Sequence, residues 1–149
     1  MVDGCLSCDV VAGRVATPGG WIYEGRHWTV SHAVGPAQLA GFLIVQPKRH
    51  VEHIAELGAE ESTALGPLLA ETCRAVAATL RPEKTYVCSF GEAVKHVHFY
   101  VIPRSAEMPD SGLTVLQQMF REQRWTCSDD EAAAVAARVR SVFRPPSRT

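Results

Sequence analysis

The run His96-Val97-His98-Phe99-Tyr100-Val101-Ile102-Pro103-Arg104 constrains the fold of this chain more than any other segment. Alternate side chains of an extended strand share a face. His96, His98 and Tyr100 therefore point one way, and Val97, Phe99 and Val101 point the other. That alternation predicts a half-buried strand whose apolar side meets a core. Its polar side carries two imidazoles and a phenol in sequence, which is chemically unusual for a solvated face. Imidazole changes charge near neutral pH and serves as nucleophile, base or metal ligand. Spacing alone leaves open the plainer alternative, an exposed strand face that happens to hold two histidines.

The rest of the chain predicts the elements around that strand. Trp21-Ile22-Tyr23-Glu24 and the segment from His27 to Ala33 read as a hairpin pair joined through Gly25. Phe42 to Gln46 is a third strand, stopped by Pro47, which lacks the N–H a central ladder needs. Ala59 to Leu80 carries Leu65, Leu68, Leu69, Val76 and Leu80 at helical spacing; Pro67 predicts a later start or a bend. Thr85 to Phe90 and His96 to Ile102 form a hairpin across a short connection containing Gly91. Leu113 to Arg121 presents Leu113, Leu116 and Phe120 on one helical face. Ser128-Asp129-Asp130-Glu131 is a capping box that opens a last helix to about Phe143, before Pro145-Pro146. The segment through Pro18-Gly19-Gly20 reads as irregular. Antiparallel strands backed by helices make an α+β domain.

Composition bounds the function. With 149 residues, 46% of them apolar, the chain can bury one sizeable core, and a single domain over 1–149 is expected. A net charge of −1 argues against generalised nucleic-acid or anionic-membrane binding, which needs a basic face. No apolar run approaches the ~20 residues of a membrane span, and no signal-peptide pattern opens the chain. A cytoplasmic protein is expected. Cys5, Cys8, Cys73, Cys88 and Cys127 are odd in number and unevenly spaced, which favours thiols or metal ligands over a disulfide frame.

Gly41-Phe42-Leu43-Ile44-Val45-Gln46-Pro47-Lys48-Arg49-His50 lies upstream of a helical region and of the His96–Arg104 run. In order and content these motifs resemble the histidine triad (HIT) superfamily of nucleotidyl hydrolases and transferases. That family pairs a Gly-His…Pro-Lys-x-His strand with a His-φ-His-φ-His-φ-φ strand. The resemblance covers about residues 5–104, with a family-like helical tail over 111–144 around Trp125. It implies a five-stranded antiparallel sheet, usually completed by a two-fold homodimer, and a nucleotide or nucleoside phosphate as substrate.

The resemblance also assigns roles. His98 takes the central triad position, which attacks the α-phosphate of a nucleotide. A neutral imidazole nitrogen forms a phosphoramidate there, which water or another acceptor discharges. The backbone carbonyl of the first triad His, here His96, holds the other ring nitrogen. Tyr100 stands where the third family His would be, and branches that transfer nucleotides to acceptors other than water carry Gln there. A tyrosine, like Gln, offers a neutral donor to a phosphate oxygen and is not cationic at neutral pH. Further departures touch the substrate pocket. Ala33 holds the place of the ribose-gripping Asp or Asn, and Phe42 the place of a pocket His. Gly91-Glu92-Ala93 replaces the Gly-Gln-Ser/Thr that cradles phosphate, although backbone amides near Gly91 remain available. His32, beside Ala33, and Trp125, in the region that often closes over the base, complete the expected nucleotide contacts.

Cys5-x-x-Cys8 can bite one metal ion, with two further ligands needed to close a tetrahedral site. Taken alone, two buried free cysteines explain the motif as well. One zinc-bearing branch of the family joins such a pair to the His of Pro-Lys-x-His and to a triad-strand His. Those positions are His50 and His96 here, so the resemblance implies a structural Zn²⁺. Three functions are therefore expected: a nucleotidyl hydrolase or transferase working through a His98 adduct; a catalytically eroded, zinc-braced HIT module that binds a nucleotide or a partner protein; and a metal enzyme with His50, His96 and His98 around an open site.

Overall fold

The structure is a computed structural model and describes residues 1–146. Five strands form one antiparallel sheet: β1 (Trp21–Glu24), β2 (Trp28–His32), β3 (Leu43–Pro47), β4 (Lys84–Cys88) and β5 (Phe99–Arg104), in the spatial order β1-β2-β3-β5-β4. The helices are α1 (Leu6–Val11), α2 (Ala59–Leu80), α3 (Gly112–Phe120) and α4 (Asp129–Val142). The α+β architecture and the antiparallel sheet expected from the sequence are present. No helix among the described residues is long and apolar enough to cross a membrane.

Strand alternation divides the sheet into two chemically different faces. Trp28, Val30, Leu43, Val45, Phe99 and Val101 join Leu68, Ala75 and Val76 of α2 and Val135, Ala136 and Val139 of α4 in the main core. The period-2 and period-3.6 apolar patterns meet there, which is what holds the layers together. A second cluster on the other face packs Phe42 and Ile102 against Val115 and Met119 of α3. Register aligns Ile44 with Tyr100, and Cys88 with Tyr100 from the far side.

Local signals act where expected, with informative exceptions. The Ser128 hydroxyl accepts from the Glu131 amide while the Glu131 carboxylate accepts from the Ser128 amide, so α4 starts at its capping box. α2 runs unbroken over Ala59–Leu80 with Pro67 inside it, rather than starting after the proline. Its N-terminus is fastened by Glu61, whose carboxylate accepts from the Gly58 amide (2.7 Å) and from Arg49 Nη2 (2.6 Å). That bond to Arg49 holds the Glu61 carboxyl below its ordinary pKa.

Two expectations need correction. The N-terminal segment is not wholly irregular, because Leu6–Val11 forms a helix. The connection between β4 and β5 is long, spanning 89–98, and β5 begins only at Phe99, so His96 and His98 precede the strand. Before β5 the Val97 amide donates to the Val51 carbonyl (2.7 Å), outside the β3–β5 ladder.

Candidate active site and metal centre

Both ring nitrogens of His98 have hydrogen-bond partners. A carbonyl can only accept, so the 2.6 Å contact with the His96 carbonyl places the proton on His98 Nδ1. In the neutral ring Nε2 then has the free lone pair, which accepts from the Tyr100 hydroxyl at 3.0 Å. Burial pushes the His98 pKa below its ordinary value, against the raising effect of the His96 carbonyl, and so favours that neutral ring. Burial likewise raises the Tyr100 pKa, with Cys88 and Glu92 adding to the shift, so the phenol keeps its proton and donates. The Tyr100 ring is packed against Phe42 (centroids 5.1 Å apart), Phe120 (5.5 Å) and Phe90 (5.9 Å).

Beside this pair opens a cleft of about 150 Å³. Its floor is Ile44 and Gln46 of β3 with Ser31 of β2, and one wall is Leu6, Ser7 and Val10 of α1. Ala33, Val34, Pro36 and Ala37 also line it, with Phe42 and Phe120 packed on Tyr100. Among the described residues no Asp, Glu, Lys or Arg lines it. Lys48 and Arg49 point elsewhere, paired with Glu24 (2.8 Å) and Glu61 (2.6 Å).

The sequence-predicted binding residues fare unequally. His32 borders the cleft but is fully buried, and both its ring nitrogens are committed to backbone. Nδ1 donates to the Ala33 carbonyl and Nε2 accepts from the Gly41 amide, each at 3.0 Å, so no ring nitrogen is left for a ligand. Gly41 can present that amide because it sits at φ 84°, and a Cβ there would run into Leu80. Trp125 is not among the lining residues; it packs on the Phe42 and Met119 cluster, with Nε1 donating to Gln118 Oε1 at 3.4 Å. Gly91 also lies outside the lining, which Val94 enters from the same loop. Sequence reasoning missed the α1 wall, although Leu6, Ser7 and Val10 interleave with the two cysteines at helical spacing.

Cys5, Cys8, His50 and His96 bring one donor atom each within 4.8 Å of one another. His96 Nδ1 lies 3.6 Å from Cys5 Sγ and 3.7 Å from Cys8 Sγ, and His50 Nδ1 lies 3.4 Å from Cys8 Sγ. A tetrahedral metal with ordinary thiolate and imidazole bond lengths has S···N edges of about 3.6 Å, so the residues fit. His96 Nε2 donates to the Pro47 carbonyl (3.0 Å), which leaves Nδ1 free to ligate. His50 Nε2 faces the Glu52 carboxylate at 3.6 Å. His98 is not part of this cluster, so the open site built from His50, His96 and His98 does not form.

Comparison with known proteins accords with these observations. The HIT domain family model matches residues 16–107. A HIT-like protein involved in cell-cycle regulation from Bartonella henselae superposes with a TM-score of 0.74 at 16% identity, covering 95% of this chain and 98% of its own. A Zn-bound histidine triad family protein from Mycobacterium smegmatis gives 0.69 at 19% identity, covering 93% and 94%. A hypothetical histidine triad nucleotide-binding protein from Sulfolobus tokodaii gives 0.72 at 16%, covering 93% and 91%. At such identities these structures establish the shared fold. No curated protein matches the chain.

Proposed function

The chain belongs to the HIT domain family, and on that premise we propose that it is a nucleotide-binding hydrolase or nucleotidyltransferase acting at an α-phosphate through a nucleotidyl-His98 intermediate. The observation that carries this reading is the relay Tyr100 O–H to His98 Nε2, and His98 Nδ1–H to the His96 carbonyl. Nε2 attacks phosphorus, a P–N bond forms, and the bond to the leaving group breaks with its electron pair, which solvent protonates. The positive charge that develops on the ring is held at Nδ1–H by the His96 carbonyl. Tyr100 turns its hydroxyl from Nε2 to a phosphate oxygen as that lone pair is used. Water, or another acceptor, then displaces His98 from phosphorus and releases the nucleoside monophosphate or its transfer product.

Cys5, Cys8, His50 and His96 would hold zinc, and with four protein ligands the ion would supply a structural tie with no position for water. The sheet ends in two edge strands, β1 and β4, and the chain would form the homodimer usual in the family.

The test is turnover of a panel of nucleoside phosphoramidates and dinucleoside polyphosphates. Turnover that His98→Ala abolishes supports the enzyme. Tight nucleotide binding by the unmutated protein without any turnover would favour an eroded binding module instead.

A further inference from the structure

α1 has little of its own to stand on. It spans six residues, and its N-cap Cys5 makes no side-chain capping bond. Isolated helices need roughly twice that length to be even marginal in water. The Arg14–Asp9 pair ties this segment only to itself. Among the described residues, the hydrogen bond joining residues 1–16 to the sheet, apart from the cysteine–histidine contacts, is Gln46 Nε2 to the Ser7 carbonyl, long at 3.4 Å. Cys5 and Cys8 are therefore the main polar attachment of α1, and between and beside them Leu6, Ser7 and Val10 face the cleft. On the other side of the cluster, His96 gives its ring to the cysteines and its carbonyl to His98 Nδ1. One cluster thus holds both the α1 wall of the cleft and the anchor of His98.

Resting on the zinc and nucleotide reading above, we propose that the Cys5/Cys8/His50/His96 centre is thermodynamically linked to ligand binding in the cleft: metal pre-forms the α1 wall, and a ligand against that wall retains the metal. A centre that merely braced the fold would raise the melting temperature and leave ligand affinity in the folded protein alone. Linkage instead requires reciprocity, because two ligands that favour the same state strengthen each other by one common factor.

The experiment uses the full chain loaded with zinc and, as probes, the four common nucleoside 5′-monophosphates. Nucleotide Kd is measured by calorimetry on zinc-loaded and zinc-stripped protein, and zinc Kd by competition with a chromophoric chelator, with and without saturating nucleotide. Each ratio should be about 5- to 150-fold, the same in both arms. In parallel, on zinc-loaded protein only, nucleotide should slow amide exchange over residues 5–12 at least fivefold while α4, on the opposite face of the sheet, is unchanged. This arm holds even where the stripped chain loses its fold. Nucleotide affinity unaltered by zinc removal in a folded chain, or unaltered exchange over 5–12, overturns the linkage alone. Failure to bind zinc or any nucleotide overturns the reading of the site, and the linkage with it.

Discussion

Removing one oxygen atom, in Tyr100→Phe, probes the hydroxyl that faces His98 Nε2. The ring remains packed against Phe42, Phe90 and Phe120, so the fold should not change. In the resting site the hydroxyl is spent on His98 Nε2. A net neutral hydrogen bond of this kind is worth about 0.5–1.5 kcal/mol. A donor aimed at charge developing in a transition state is worth about 2.7–4 kcal/mol. Tyr100 must give up the first to make the second, so its net contribution to the barrier is about 1.2–3.5 kcal/mol. Tyr100→Phe should therefore slow adduct formation by about 8- to 400-fold, with nucleotide Kd changed less than about threefold. Rapid-quench measurement of the adduct, alongside equilibrium binding, reads both quantities. An unchanged rate would mean that the hydroxyl never reaches the phosphate. A several-fold faster rate would mean that it only caps the nucleophile. Either result refutes the reasoning.

Other expectations follow from the same geometry. Cys8→Ser should lose zinc and lower the melting temperature together, since metal binding to such a site is coupled to folding; full zinc occupancy by elemental analysis would contradict this. Because burial holds the His98 pKa below its ordinary value, adduct formation should stay flat as pH falls from neutral past about 6.5 and decline only below it. The rate is followed with zinc content in parallel, and a midpoint at or above about 6.5 would contradict the assignment. His32→Ala should cost about 3–5 kcal/mol in denaturant unfolding, by leaving a cavity and orphaning the Gly41 amide. Burial lowers the His32 pKa, so the stability tied to its neutral ring is present above about pH 6.5 and lost as pH falls through its folded value; a silent His32→Ala would refute its structural role.

What the sequence made legible depended on how local the determining interactions are. The α4 boundary is readable because its capping box closes within four residues, from Ser128 to Glu131. α2 is readable because its core stripe repeats through Leu68 and Val76 over 22 residues, enough to carry Pro67. α1 is not, because its position depends on Cys5 and Cys8 meeting His50 and His96 across the chain. The strand alternation placed Tyr100 and Ile102 correctly but ran too far back. His96 and His98 lie outside the ladder, since Val97 bonds to Val51 instead of to β3. His32 sits next to a pocket residue in sequence, yet register cannot reveal that Gly41 and Ala33 occupy both of its nitrogens. The neutral lining of the cleft was equally hidden, because Lys48 and Arg49 are diverted by Glu24 and Glu61, which are remote in sequence.

The central claim is that His98 Nε2 forms a covalent bond to phosphorus. The most direct measurement is intact-mass analysis of acid-free, rapidly quenched protein mixed with the phosphoramidate and dinucleoside polyphosphate panel, followed by peptide mapping. The account predicts a mass increase of one nucleoside monophosphate on the His98 peptide, labile to acid and stable to base as a P–N bond is, and absent from His98→Ala. An adduct on any other residue, or turnover that persists in His98→Ala, would contradict it.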